Sequence, residues 1–378
     1  MPWKETTVVK ERREFVEWAE RQELPFRTLC ARFGVSVPTG RKWLVRYRAA
    51  GTEGLSSQSQ RPLRQPGKLP AEVEDAVCAL ASRHPAWGAR KLKRRLADLE
   101  TPYVPAASTI QRVLERNGVE RVRPAQTPAR QRFEAPAPNA LWQMDFKGYI
   151  TLSRGGQCHP LTVLDDHSRF NLVLASCGNE QRGTVQEQLT RAFQRYGLPD
   201  RMLMDNGAPW GYTQQHRHTR LSAWLIRMDI AISHGRPYHP QTQGKEERFH
   251  RTLRLEVLDR RPAWTDLADV QHALDAWRTV YNFERPHDAL AGATPATRYH
   301  PSVRPWPTQL PLVAYDHSDI VRVVGDHGEV SFRGQTYLVG RGFTGERVAI
   351  RPSADGVWDI YYCKQRVARI APVLLAGV

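Results

Sequence analysis

Hydrophobic and polar positions change rhythm three times along the chain. Residues 4–21 set Val8, Val9, Phe15, Val16 and Trp18 among many charges, the spacing of an amphipathic helix. "PFRTLCARFGVSVPTGRKWLVRYRAAG" predicts a short helix from about Phe26 to Phe33, a turn at Gly34, and a second helix capped by Ser36 and running through Tyr47. Leu29, Phe33, Val37, Trp43, Leu44 and Tyr47 would supply its core. Two short helices around a glycine are helix-turn-helix grammar. Gly40 breaks the pattern, standing where an apolar residue is expected. Residues 51–70 are rich in Gly, Ser, Gln and Pro and read as a linker. Three more helices follow within 71–122: one from Ala71, one in the basic "WGARKLKRRLADLE", and one with Ser108 as its expected cap and Gly118 as its stop. A Pro/Ala/Gln-rich segment, 123–139, should be extended and exposed.

From residue 140 the rhythm becomes that of an α/β layer structure. "LWQMDFKGYI", "HPLTVLDDHSRF", "NLVLAS", "RMLMDNG" and "AISHG" are strand-like. "TVQEQLTRAFQRYG", "HTRLSAWLIRMDI", "QGKEERFHRTLRLEVL" and "LADVQHALDAWRTVYNF" are helical. From about 313 apolar and polar residues alternate in short runs between Gly/Asp turns, predicting a small barrel of about five strands over 313–378. The fold class expected is therefore multidomain: all-α helix-turn-helix units over 1–50 and 71–122, an α/β core over 140–300, and a small β-barrel.

Charge narrows the partner. The 378 residues carry 55 Lys+Arg against 39 Asp+Glu, a formal net charge of +16. Residues 1–134 hold 26 of those cations and 15 of the anions. That balance favours a polyanionic partner, nucleic acid first and an anionic membrane surface second, and double-stranded DNA is the nucleic acid expected. Arg41, Lys42 and Arg46 in the first unit are candidate contacts. So are Arg90, Lys91, Arg94, Ser108, Gln111 and Arg112 in the second, and Lys245, Arg248 and Arg251 near the third acidic segment. No run approaches the roughly 20 apolar residues of a membrane span, so no membrane partner is expected. No secretory signal is evident at the start, and the five dispersed cysteines suit reduced thiols; a cytoplasmic protein is expected. They form no CxxC, and no histidine joins them at zinc-finger spacing.

Three acids stand where an apolar element meets a polar edge. Asp145 lies in "WQMDFKG", Asp205 ends "LMD" before Asn206–Gly207, and Glu247 lies in "HPQTQGKEERFHRTL". These segments, in this order, resemble the signature segments of DDE transposases and retroviral-type integrases, and more narrowly of bacterial insertion-sequence transposases with an integrase core. "DDHSRF" and "YNFERPHDALAGATPATRY" add to the likeness, which covers nearly the whole chain. The resemblance implies a ribonuclease-H-like core with Asp145, Asp205 and Glu247 as catalytic and metal-binding residues. It implies hydrolysis at the ends of a mobile element, recognised through terminal inverted repeats, and transesterification of the freed 3′-hydroxyl into target DNA. A homo-oligomer, a dimer or larger, would hold the paired ends, associated with the bacterial nucleoid when bound.

In-line phosphodiester chemistry gives those acids a reason. Attacking and leaving oxygens both need stabilising, which two hard divalent ions do, and such ions take carboxylate oxygens. Two Mg²⁺ ions are expected, with Mn²⁺ as a substitute; Asp145 would be shared between them, and Asp205 and Glu247 would hold one each. No other cofactor is implied. Helix geometry separates the adjacent acids: Phe249, Leu253 and Val257 form one stripe, and Glu247, Arg251 and Arg254 lie broadly opposite. Glu246 reads as an ordinary first-turn acid favoured by the helix dipole. Asp165 and Asp166 read as capping groups or partners of Arg169. A DNA-binding regulator without catalysis, or a nuclease of the same fold, are the rival readings.

Overall fold

The first helix, α1 (Val8–Arg21), is capped by the Thr7 side chain and turns Phe15, Val16 and Ala19 inward. They meet Leu29 and Cys30 of α2 (Phe26–Arg32) and the start of α3 (Val37–Ala50). Ser36 caps α3 as its sequence requires, accepting from Thr39 N, and Gly34 takes the left-handed turn between the helices at φ 62°. Gly40 is explained by space. A Cβ there would stand 2.7 Å from Cys30 Sγ and 2.8 Å from the Phe15 ring, so α3 can cross this closely only without a side chain. The segment expected to begin a linker instead coils into a 3₁₀ turn, Gly51–Leu55. Leu55 is fully buried in this core, and its carbonyl accepts from Arg12 Nη1. A hydrophobic residue five positions past the helix outweighed the loop-like composition around it.

The computed structural model describes residues 7–57, 69–120, 134–205, 207, 209–211, 218–234, 244–353 and 356–370. The chain divides into two compact units, Met1–Leu69 and Pro70–Val378. In the second, α4 (Ala71–Arg83), α5 (Ala89–Asp98) and α6 (Ala107–Arg116) close around Val77, Leu80, Trp87, Leu92, Leu96, Ile110 and Leu114. Ser108 does not cap α6: the helix begins one residue earlier, after Ala106, which leaves Ser108 inside the first turn.

The α/β core has the connectivity of a ribonuclease-H-like sheet. Strands β1 (Trp142–Phe146), β2 (Ile150–Thr151), β3 (Gln157–Asp165), β4 (Asn171–Cys177), β5 (Arg201–Met204) and β6 (Ala231–His234) form it. β3 lies antiparallel between β1 and β4, and β5 and β6 continue from β1 in parallel. Alternation along the strands feeds two cores. Val163, Val173 and Ala175 point to the side covered by α7 (Arg182–Tyr196) and α8 (Arg220–Arg227). Leu164 and Leu174 point to the side covered by α9 (Gly244–Glu256) and α10 (Leu267–Phe283). Trp142, Trp264 and Trp277 are buried, and Trp224 packs partly buried against the first core.

Residues 134–139 depart from the exposed linker predicted over 123–139; residues 123–133 lie outside the described part. Ala135 N donates to Asp166 Oδ2 at 2.6 Å, and Asn139 N donates to Asp165 Oδ2 at 2.7 Å. The two aspartates at the end of β3 are thus receptors for incoming backbone. Asp165 also accepts from Ser168 N and Oγ.

The C-terminal strands depart from the expected barrel. β7 (Ile320–Val323), β10 (Arg347–Pro352), β11 (Trp358–Tyr362) and β12 (Gln365–Ile370) form an antiparallel sheet in the order β12-β11-β10-β7. β8 (Glu329–Phe332) and β9 (Gln335–Leu338) pair only with each other, so the described strands leave the sheet open. Part of the reason is that this module is not free-standing. Its core of Val330, Phe332, Phe343, Val348, Ile350 and Ile360 also takes in Ala223 and Ile226 of α8. Gly342 lies on the start of that helix, where a Cβ would meet the Thr219 backbone at 2.5 Å. Part of this module's apolar core is therefore covered by a helix and not by strands.

Candidate active site

Sheet register brings two of the three acids together. Trp142 pairs with Met202 and Gln143 with Leu203 across the parallel β1/β5 ladder. Continued two residues, that register sets Asp145 opposite Asp205, just past the end of β5. Their proximity has an electrostatic consequence. The Asp145 carboxyl is pushed up from an ordinary 3.8 to about 6, chiefly by burial, with the charges of Asp205 and Glu180 adding to it; Phe146 N–H and Lys147 act the other way. Its side chain is 28% exposed, open enough on one side to meet a ligand. Phe146 N donates to Asp145 Oδ1 at 2.8 Å, and the Phe146 ring lies stacked near Trp210 at 5.6 Å.

The third acid is placed differently. Glu247 stands on the exposed side of α9, while Glu246, Phe249, His250 and Leu253 are buried. Among the described residues, no three of His, Cys, Asp and Glu stand close enough together to hold an ion. Asp145 and Asp205 are therefore assembled, and Glu247 is not gathered with them here. The pair nonetheless suits a hard cation: two carboxylates meet near the C-terminal ends of adjacent central strands, and the ionisation of one is opposed by burial and by the other's charge.

Glu246 is the residue that the sequence misjudged. It is 1% exposed, and its Oε2 lies 3.0 Å from the Thr162 hydroxyl. Burial raises its pKa well above the usual carboxylate range; Asp145's charge adds to this and Thr162 opposes it. Thr162 Oγ1 also lies 3.0 Å from the Asp145 carbonyl and 2.8 Å from His250 Nε2. His250 Nδ1 stands 3.9 Å from Asp145 Oδ2. Burial, helped by Lys147, pushes His250 down to about 3, so it is neutral and the approach is not an ion pair. One sequence signal did point inward: Glu246 lies three positions before Phe249 and seven before Leu253, on the apolar stripe.

The expected DNA contacts divide by environment. Arg41 and Lys42 are exposed on α3, and Arg46 lies beside Trp43, its guanidinium 5.2 Å from the ring centroid. Arg90 and Arg112 are exposed, as is Ser108; Arg94 pairs with Asp98 at 3.0 Å, and Gln111 donates to Glu115. Arg248 is exposed and Arg251 half-buried on α9. Two cations differ from expectation. Lys91 is 15% exposed and pairs with Asp288 at 2.6 Å, so α5 uses it, with Arg95 on Glu284, to dock on the core. Lys245 turns inward to Asp166, whose carboxylate is wholly buried and needs a counter-charge.

Comparison with known proteins agrees with this architecture segment by segment. Integrase core domain models match residues 135–240 and 228–295, and a helix-turn-helix domain model matches 11–62. A homeodomain-like model matches 39–114, and the IS481 family transposase C-terminal domain matches 319–371. The chain is 28% identical over 267 residues to an insertion element IS476 protein of Xanthomonas euvesicatoria, covering 67% of this chain and 72% of that one. It is 28% identical over 161 residues to an IS407 protein of Burkholderia multivorans, where it spans 55% of the relative. The Gag-Pro-Pol polyprotein of Mason-Pfizer monkey virus is 31% identical over 120 residues, 32% of this chain and 6% of the polyprotein. Among solved structures, the HTLV-2 integrase catalytic core domain in complex with magnesium covers 44% of this chain at 17% identity, with a TM-score of 0.33. Helix-turn-helix, integrase core and transposase C-terminal matches follow one another along the sequence, and together they support an insertion-sequence transposase with an integrase-like core.

Proposed function

We propose that the protein cuts the ends of a mobile DNA element by hydrolysis and joins the resulting 3′-hydroxyl to target DNA by transesterification. The observation that carries this reading is the meeting of Asp145 and Asp205 at the C-terminal ends of the two central strands β1 and β5, with the Asp145 carboxyl lifted to about 6. Asp145 and Asp205, completed by Glu247, would hold two Mg²⁺ ions, or Mn²⁺ in their place. Bound there, the ions would supply positive charge to the attacking and leaving oxygens of the phosphodiester. The chain supplies the rest. β1 carries Asp145 and the adjacent β5 leads directly into Asp205, so the paired strands set the two aspartates side by side. Arg248 and Arg251 share the outer part of α9 with Glu247 and would hold phosphates flanking the scissile bond.

Arg41, Lys42 and Arg46 of α3 would meet the terminal repeats, with Arg90, Arg94, Ser108, Gln111 and Arg112 as a second set. Lys91 and Lys245 are left out of this proposal because Asp288 and the buried Asp166 hold them. Joining two ends to one target calls for two active sites, and so for a dimer or larger assembly of this chain. Strand cleavage of element-end DNA in Mg²⁺ tests the proposal. Asp145→Asn and Asp205→Asn should each abolish it while leaving end binding intact; wild-type rates in either variant would refute it.

A further inference from the structure

The turn of α9 that carries Glu247 outward carries Glu246 into the protein beneath Asp145. A carboxyl with 1% exposure is an expensive occupant of a core position, and one of its oxygens, Oε1, has no hydrogen-bond partner among the described residues. The apolar stripe of Phe249, Leu253 and Val257 would be continued more cheaply by Val or Ile. What the acid gains is contact with a hydroxyl. Thr162 faces Asp145 directly across the β1/β3 ladder, and its Oγ1 lies within 3.0 Å of the Asp145 carbonyl, Glu246 Oε2 and His250 Nε2. The carbonyl can only accept, so the hydroxyl gives its one hydrogen to a single acceptor and can itself accept only from a protonated Glu246 or from His250 Nε2–H; those two side chains between them fix which way it turns. His250 in turn sets its other nitrogen 3.9 Å from Asp145 Oδ2, opposite the oxygen that Phe146 N–H holds.

We infer that Glu246, Thr162 and His250 form a positioning set that orients Asp145 for divalent-ion binding, with Glu246 as its buried anchor. Glu246 is a positioning residue and touches neither ion nor DNA. The inference rests on the proposed metal-dependent function. It goes beyond it in giving the second glutamate of "KEER" a role of its own. Partners that orient a metal-binding carboxylate typically matter to ion affinity by about 10- to 100-fold.

The test measures Mn²⁺ binding by electron paramagnetic resonance on the full-length protein, alongside the Mg²⁺ dependence of end cleavage. Glu246→Val should weaken Mn²⁺ binding by about 10-fold or more and shift the cleavage curve to higher Mg²⁺ by a similar factor. Glu246→Gln, which keeps the shape and a hydrogen bond to Thr162, should stay within about 3-fold of wild type, below that range. Thr162→Val and Thr162→Ser repeat the comparison at the hydroxyl and decide the matter if Glu246→Val does not fold. Wild-type ion binding in Glu246→Val, or in Thr162→Val should Glu246→Val not fold, would overturn the inference. So would equal impairment in Val and Gln at 246. Asp145→Asn is the control: if it loses both readouts while Glu246→Val loses neither, only this inference falls. If Asp145→Asn also keeps both, the proposed function falls with it.

Discussion

At the scale of single residues, the site stores an electrostatic cost that pH should reveal. An unfolded chain ionises Asp145 near an ordinary 3.8, whereas the folded protein holds its proton to about 6. A raised carboxyl stabilises the fold at low pH, and that contribution is lost as pH rises through about 6. The gap corresponds to at most about 3 kcal/mol. Thermal melts without divalent ions should therefore show Asp145→Asn gaining on wild type between pH 4 and 7, and Mg²⁺ should raise the wild-type melting temperature above pH 6 more than the variant's. A constant difference across that range would remove the assigned cause. Asp145 and Asp205 were singled out because their segments, in order with that of Glu247, resemble the signature segments of a family; taken alone, neither acid stands out in the sequence. Glu246 was not. First-turn acids ordinarily serve the helix dipole, and only the distant Thr162 and the stripe's full length reveal that this one is enclosed.

At the scale of elements, Gly40 decides how closely α3 approaches α1 and α2. Gly40→Ala adds one methyl against Cys30 Sγ and the Phe15 ring. It gains helix propensity of about 1 kcal/mol but incurs overpacking of about 1–3 kcal/mol. Net destabilisation of the N-terminal unit is expected, read as earlier loss of its protection from proteolysis, together with weaker end binding. An unchanged or higher stability would show that the crossing can relax. The sequence located this helix pair well because caps and turns act locally: Ser36 and Gly34 each do their expected work. It placed α10 equally well, at Leu267–Phe283, because an uninterrupted apolar stripe follows the Asp266 cap. Residues 134–139 and Gly51–Leu55 were misread for a shared reason. Pro- and Gly-rich composition describes a chain's local freedom, while their structure comes from a few contacts far away in sequence, Asp165, Asp166 and Arg12. Barrel closure failed in the same way, since strand alternation does not say whether a neighbouring helix will take the place of a strand.

At the scale of the whole molecule, the net charge of +16 is not all available to DNA. Some cations are internal fasteners, and the salt dependence of binding should separate the two kinds. Each phosphate contact contributes about 0.9 to the slope of log affinity against log salt. Arg41→Ala with Lys42→Ala should lower that slope by about 2 in binding to element-end duplex. Lys91→Ala should leave it unchanged, since that ammonium is engaged by Asp288. A drop of about 1 for Lys91→Ala would mean that α5 leaves the core when DNA binds. Helix-turn-helix, integrase core and transposase C-terminal matches follow one another along this chain, and the proposed function stands or falls on whether Asp145 and Asp205 do the chemistry. The most direct measurement is Mg²⁺-dependent joining of a pre-cut element end to target DNA by Asp205→Asn protein that still binds the end. The account predicts joining reduced to background, and joining within a few-fold of wild type would contradict it.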